Sequence, residues 1–170
     1  ASGAALEFQG GVSVAAEAVN LTGTGLGATG ALRNLSGANT FAGTITLAGD
    51  TLVQSDAGSL TLSGATAIVA GANALTFGGT GNVSVTGAIT GATATLIKNG
   101  NGLLTLAGAN GFGGATTVNA GSLALGANDA LSDLTVLAIN GGAFDVATFN
   151  DTVAGVTLVG GSIVGSTGVL

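Results

Sequence analysis

The feature that most constrains the fold of this chain is an internal repeat with a shift of 71 residues. The segment Leu35–Thr46 (LSGANTFAGTIT) returns as Leu106–Thr117 (LAGANGFGGATT), so that position 35 corresponds to position 106 and the shift is 71. The same shift joins 12–14 with 83–85, both Val-Ser-Val. Repeat units of this kind bury their apolar faces against neighbouring units. The repeat therefore predicts a stacked, elongated architecture.

The composition is that of a folded chain and excludes several other classes. Hydrophobic residues make up 46% and charged residues 6% of the sequence, the opposite of a disordered chain. There are 33 Gly but no Pro, and Gly has no three-residue period, which excludes collagen. Polar residues interrupt every apolar stretch well before the roughly 18 residues that a membrane-spanning helix needs.

Short stretches that alternate apolar and polar residues, each closed by Gly, Asn or Asp, predict strands rather than helices. Strands of this length suit the sides of a coil and are too short for a wide sandwich core. The predicted strands are Val12–Val14, Val19–Leu21, Leu32–Leu35, Thr44–Leu47, Thr51–Gln54, Ser59–Leu62, Ala67–Val69, Leu75–Phe77, Val83–Val85, Thr95–Ile97, Leu103–Leu106, Thr116–Val118, Leu123–Leu125, Leu134–Ile139, Ala143–Val146, Val156–Val159 and Ser162–Val164.

Three such strands per coil of roughly 20 to 25 residues predict an all-β parallel β-solenoid. The 71-residue repeat then corresponds to about three coils and the whole chain to about seven, a rod of about 35 Å at ~4.8 Å per coil. We expect one solenoid over residues 1–170, with internal repeats at 10–80 and 81–151. Because each backbone N–H on a face bonds to a neighbouring coil, the absence of Pro is expected.

The alternation also predicts which side chains form the core. Leu106, Val118, Leu123 and Leu125 alternate with Thr, Asn, Ser and Ala, so we expect them to point into the solenoid. Phe41 and Phe112 stand at equivalent positions of the repeat and are expected to be core or cap aromatics. Gly and Asn are expected at the corners, which require positive φ.

The unit at 96–127 (LIKNGNGLLTLAGANGFGGATTVNAGSLALGA) resembles the autotransporter-associated β-strand repeat, also called the passenger-associated transport repeat. That motif reads approximately K-x-G-x-G-x-L-T-L-S-G-x-N-x-Y-x-G-G-T-x-V-x-x-G-x-L-x-L-G, and Phe112 replaces its usual Tyr. A degenerate copy lies at 32–52. The matching positions are Lys98, Gly100, Gly102, Leu104, Thr105, Leu106, Gly108, Asn110, Gly113, Gly114, Thr117, Val118, Gly121, Leu123, Leu125 and Gly126.

The resemblance implies a right-handed parallel β-helix, the passenger of an autotransporter. Such a passenger is secreted through the outer membrane of a Gram-negative-type bacterium and is extracellular or displayed on the cell surface. The family's signal peptide and C-terminal barrel are not found in this sequence. We therefore expect a fragment or processed part of a longer passenger.

Missing residue types argue against an enzyme. Without His or Cys, the chain cannot build a Ser-His-Asp triad, a thiol nucleophile or a zinc site of the usual ligands. Carboxylate chemistry remains, with Asp129 and Asp133 or Asp145 and Asp151 as candidate pairs, but no base lies near them in sequence. The glycines before Asp145 approach a calcium-binding β-roll loop without matching its spacing. The sequence thus predicts no catalytic residue, metal or cofactor.

The charge and the two ends of the chain bear on partners. The net charge is −6 and the only bases are Arg33 and Lys98, which disfavours nucleic acid and anionic membranes. The terminal segments Leu6–Val14 and Val156–Val164 alternate apolar residues and lack Pro and Lys, so we expect end-to-end self-association through open β-edges or continuation into neighbouring coils.

A structural role as stalk, adhesin scaffold or filament subunit is the favoured function. The alternatives are an ice- or carbohydrate-binding solenoid and, less favoured, a β-helical polysaccharide-degrading enzyme. The first of these depends on three Thr pairs, 22 with 24, 44 with 46 and 93 with 95, which could line up on one flat face. The receptor or ligand is not indicated by the sequence.

Overall fold

The computed structural model describes residues 3–170, and over these residues the chain forms a parallel β-solenoid, as predicted. One short 3₁₀ helix, Leu26–Ala28, interrupts the strands. None of the helical structure between residues 3 and 170 has the length and apolarity to traverse a bilayer.

The strands are short, with one exception that runs through a corner. Numbered in chain order, they are β1 (Leu6–Gln9), β2 (Ser13–Val14), β3 (Val19–Gly23), β4 (Leu32–Ser36), β5 (Ala38–Phe41), β6 (Ile45–Ser55), β7 (Ser59–Leu62), β8 (Thr66–Val69), β9 (Ala74–Gly78), β10 (Asn82–Val85), β11 (Ala88–Gly91), β12 (Thr95–Lys98), β13 (Leu103–Leu106), β14 (Gly111–Phe112), β15 (Thr116–Val118), β16 (Ser122–Leu125), β17 (Val136–Ile139), β18 (Ala143–Asp145), β19 (Gly155–Leu158) and β20 (Ser162–Val164).

Three faces enclose the core. The first face contains β1, β4, the 51–55 part of β6, β9, β12, β15, β17 and β19, and the second contains β2, β5, β7, β10, β13, β16, β18 and β20. The third face contains β3, the 45–47 part of β6, β8, β11 and β14. Because all of these pairs are parallel, each residue stacks on its counterpart one coil away.

Stacked apolar side chains fill the interior. On the second face Leu60, Val83, Leu104, Leu123 and Phe144 occupy one position at successive levels, and all are almost completely buried. The four residues predicted to point inward from 106 to 125 are all buried, and so are both repeat phenylalanines. The predicted inner and outer faces are therefore confirmed.

A column of five glycines forms the corner between the first and second faces: Gly79, Gly100, Gly121, Gly142 and Gly161. All five have φ between 65° and 93°, the left-handed region that favours glycine. A Cβ on any of the last four would lie 2.1 to 2.5 Å from the carbonyl oxygen of the glycine one coil before. These glycines therefore let the corners of successive coils approach each other closely.

The coil count and some strands differ from the prediction. Five turns carry strands on all three faces, whereas the coils at the C-terminal end carry strands on the first two faces only. The solenoid has about six turns instead of the predicted seven. The segments at β1, β5, β11 and β14 were not predicted as strands. Three of them, β5, β11 and β14, contain Asn or Gly that locally favours a turn, and stacking on neighbouring coils overrides that preference.

The sequence repeat and the coil repeat are out of phase. Three coils after Thr40 the chain reaches Thr105, an advance from 40 to 105 of 65 residues, whereas the sequence shift is 71. As a result Phe41 lies on the second face and Phe112 on the third. The division into repeats at 10–80 and 81–151 stays a prediction.

Candidate functional site

Two of the four carboxylates proposed from sequence as catalytic or calcium-binding candidates accept hydrogen bonds from the backbone. Asp145 accepts a hydrogen bond from the Ala147 N–H at 2.8 Å, and Asp151 accepts one from the Leu131 N–H at 2.9 Å. Between residues 3 and 170, no three side chains of the metal-binding types His, Cys, Asp and Glu come together. The carboxylates of Asp145 and Asp151 are each held by a backbone hydrogen bond.

Both cations of the chain have structural partners. Arg33 contacts Glu7 at 3.1 Å and Asp56 at 2.6 Å, so it links three successive coils on the outside of the first face. Hydrogen bonding to Asp56 raises the pKa of Arg33. Arg33, one of the two bases that a carboxylate mechanism could use, is therefore paired with Glu7 and Asp56.

Lys98 is buried, with 3% of its surface exposed. Its ammonium donates to the carbonyls of Asn99 at 3.0 Å, Gly100 at 2.8 Å and Ala120 at 3.3 Å, which ties its own coil to the next at the glycine corner. Burial lowers the pKa of Lys98 to about 8. Alternation along β12 was the signal for this burial, since Lys98 follows Leu96 by two residues.

The asparagine that both sequence repeats share is also buried, and its side chain forms a hydrogen bond between coils in each copy. Asn39 Oδ1 accepts from the N–H groups of Gly11 and Val12, and Asn110 Oδ1 accepts from the N–H of Ile89. In both cases the donor belongs to the preceding coil. Asn110 Nδ2 also donates to the Ala130 carbonyl of the next coil at 2.6 Å. The conserved feature of the repeat is therefore an inter-coil bridge, although the two copies lie on different faces.

Asp151 makes the same type of bond as Asn110 but carries a carboxylate where the asparagine has an amide. Asp151 Oδ2 accepts from the preceding coil, whereas Oδ1 is buried and has no hydrogen-bond partner in the structure. Burial raises the pKa of Asp151. Ionisation of this buried carboxylate therefore opposes the fold.

We expect Asp151→Asn to stabilise the fold at pH 7 by on the order of 1 kcal/mol, since it removes a buried charge with an unpaired oxygen. A raised folded-state pKa means that the wild type loses stability as pH rises from 3.8, the ordinary Asp value, through the folded-state pKa. Thermal melts from pH 3 to 8 should show the gain at pH 7 and its disappearance below pH 3.8. Asp145→Asn is the matched control, and an equal gain there would contradict the argument.

The outer surface differs from the threonine array considered in the sequence analysis. Thr46 stacks between Asn20 and Val69, and Thr95 stacks on Ala74. The hydroxyl of Thr44 donates to the Thr66 carbonyl. The three threonine pairs therefore do not form one flat face, which removes the basis given for ice binding.

An amide ladder runs along the outside of the first face. Asn140 Nδ2 donates to Asn119 Oδ1 at 2.9 Å, and Asn119 Nδ2 donates to Asn99 Oδ1 at 2.8 Å. Sequence reasoning missed this ladder, although the spacing of about 20 residues between these asparagines was its signal.

Comparison with known proteins identifies one segment of the chain. Residues 96–125 match the family model described as Passenger-associated-transport-repeat. Searches of curated proteins and of solved structures gave no match. The matched segment begins in β12 and ends in β16, and it contains both the buried lysine and the buried asparagine that bridge coils. Residues 96–125 of this chain are therefore similar to a passenger-associated transport repeat.

Proposed function

We propose that this chain is a structural segment of a secreted autotransporter passenger, a β-solenoid whose task is to extend and present rather than to catalyse. The observation that carries the proposal is the passenger-associated transport repeat embedded in an uninterrupted stack of coils. Three of the buried polar side chains, Lys98, Asn39 and Asn110, bond to backbone of their own or neighbouring coils. That use of polar chemistry supports a scaffold.

The proposed location is the cell surface or the extracellular space of a Gram-negative-type bacterium, because passenger repeats belong to exported proteins. The proposal includes no cofactor and no catalytic residue. The contacts of the two bases support this part of the proposal, because Arg33 contacts two carboxylates and Lys98 donates to three carbonyls. Among the described residues, the acids near the C terminus therefore have no basic partner.

End-to-end stacking is the mode of assembly that we propose. At the C-terminal end, Val156, Leu158 and Ile163 stack in register on completely buried residues of the preceding coil, yet they are 44%, 55% and 38% exposed. They continue the core columns and lack only a further coil to cover them. The strands β19 and β20 are the last in their sheets, so their outer backbone groups are open to another strand.

The N-terminal end offers a complementary surface. A cleft of about 240 Å³ opens there, lined by Leu6, Leu21, Ala31 and neighbouring residues. Phe8 is only 5% exposed and stacks on Phe41 with ring centroids 6.2 Å apart, so this end is better closed than the other. An exposed apolar end and a cleft in the first coils at the opposite end favour a head-to-tail contact, which extends into a filament unless the rotation per subunit closes a ring.

Sedimentation velocity tests this assembly. We expect the wild type to form oligomers that grow with concentration, and we expect Leu158→Lys to shift it toward monomer because a charge then replaces an apolar side chain in the contact. Val159→Lys is the matched control, with the same charge at the neighbouring, 75% exposed position. A wild type that stays monomeric at high concentration, or an equal effect of both lysines, would contradict end-to-end stacking.

A further inference from the structure

The amide ladder on the first face stops at a missing rung. In the outward-facing column Arg33 pairs with Gln54 and Gln54 with Gly78. Asn99 lies over Gly78, because the residues before them, Lys98 and Phe77, are paired. Above this level the column continues through the two further asparagines of the ladder. A glycine thus stands where the column would otherwise carry a side chain.

The ladder leaves a donor above the gap and an acceptor below it. Asn140 and Asn119 each donate from Nδ2 to the amide one coil below, whereas the residue one coil below Asn99 is Gly78, which has no amide to accept from Asn99 Nδ2. Within residues 3–170 this Nδ2 has no hydrogen-bond partner. On the other side, Gln54 Oε1 would lie 3.4 Å from a Cβ built on Gly78. An unpartnered donor therefore lies one level above Gly78 and an unpartnered acceptor one level below it.

The backbone does not require glycine at this position. Gly78 lacks the positive φ of the corner glycines, and a Cβ there would meet its nearest neighbours, Gln54 Oε1 and Leu52 Cδ1, at 3.4 Å. At Gly79, by contrast, a Cβ would lie 1.9 Å from the Ser55 carbonyl oxygen. The corner requires glycine at position 79, whereas the space beside Gly78 accommodates a Cβ at ordinary contact distance.

That space is part of a groove of about 420 Å³, a volume in the range of small-ligand sites. Some polar atoms of its lining are hydrogen-bonded within the protein, and others are not. Asp50 Oδ1 accepts a hydrogen bond from the Ala74 N–H at 2.8 Å, and Gln54 Nε2 donates one to Asp56 Oδ1 at 2.7 Å. The remaining oxygens of both side chains and the Thr76 hydroxyl have no partner among the described residues. Fixed groups of this kind lose little freedom on binding.

We propose that this groove binds a neutral saccharide unit of an oligosaccharide, with one sugar hydroxyl in the place of the missing rung. A hydroxyl accepts one hydrogen bond and donates another, as the pair of Asn99 Nδ2 and Gln54 Oε1 requires. Asp50 and Thr76 engage further hydroxyls, and Leu52 supplies an apolar contact for a ring face. Because the groove contains an aspartate and no cation, acidic sugars are disfavoured.

The inference does not rest on the structural role proposed above. A scaffold without saccharide binding would leave that role intact, and a saccharide-binding solenoid need not stack end to end. The two proposals therefore fail separately, the first in sedimentation and the second in binding.

Amide NMR of the intact chain tests the site with stated probes. Maltotetraose and mannotetraose serve as neutral oligosaccharides, and tetragalacturonate serves as the acidic one. We expect at least one neutral probe, at concentrations up to about 10 mM, to shift the side-chain amide signals of Asn99 and Gln54, in keeping with a Kd near or above about 1 mM. The acidic probe should leave these signals unchanged.

Two matched glycine variants show whether the gap is responsible. Gly78→Asn supplies the missing rung and should weaken binding at least tenfold. Gly111→Asn, at an exposed strand position with no atom within 4 Å of an added Cβ, should leave binding unchanged. Melting curves show whether either variant is unfolded. Silence of both neutral probes, equal binding by the acidic probe, or retained binding in a folded Gly78→Asn variant would each overturn the proposal.

Discussion

Replacing Leu123 by Ala is expected to lower the free energy of unfolding by about 2 to 5 kcal/mol, the cost of a large-to-small change in a packed core. Leu123 is completely buried and stacks between Leu104 and Phe144. Both neighbours are held by their own coils, so the cavity cannot close by a small local movement. Equilibrium urea unfolding measures the change.

Leu103→Ala is the control for this result. Leu103 lies one residue before Leu104 on the same strand and is only partly buried, because it points outward. The same truncation there should cost less than about 1 kcal/mol. A loss below about 0.5 kcal/mol at Leu123, or a larger loss at Leu103, would mean that the inner and outer faces are reversed.

Replacing Gly121 by Ala is expected to cost about 3 to 5 kcal/mol or to prevent folding. The φ of Gly121 is 65°, and an added Cβ would lie 2.5 Å from the Gly100 carbonyl oxygen and 2.6 Å from that of Gly102. Neither oxygen can withdraw without separating two coils. The change is measured by thermal and urea unfolding beside the wild type.

Gly111→Ala controls for the loss of a glycine as such. A Cβ there meets nothing within 4 Å, and Gly111 lacks a positive φ, so we expect a change of less than about 1 kcal/mol in either direction. Comparable losses at both glycines would show that the corner column does not depend on close approach of its backbone.

Local sequence pattern predicts most of the first two faces, because their strands alternate clearly between inward apolar and outward polar residues. The inward positions of Leu106, Val118, Leu123 and Leu125 follow from that alternation alone. The third face was harder to predict. Its strands β11 and β14 are short and end or begin with Gly, and pairing with the coil below, rather than local propensity, extends them.

Contacts between coils also account for what the sequence left undetermined. Whether a charged residue such as Lys98 is buried depends on carbonyls one coil away, such as that of Ala120. The inter-coil hydrogen bonds of Asn39 and Asn110 could not be predicted without knowing which coil each side chain faces. The gap at Gly78 is visible only once Gln54 and Asn99 are known to lie on either side of it. Sequence spacing predicts the approximate number of residues per coil, but not which residues lie above one another in successive coils.

Electron microscopy of the purified chain tests the central claim, that this is a solenoid built to extend as a scaffold, most directly. We expect thin rods of uniform width that lengthen with protein concentration, with Leu158→Lys giving only short particles about 30 Å long, the rise of about six coils at ~4.8 Å each. Compact particles of one size at every concentration, identical for the wild type and for Leu158→Lys, would contradict it.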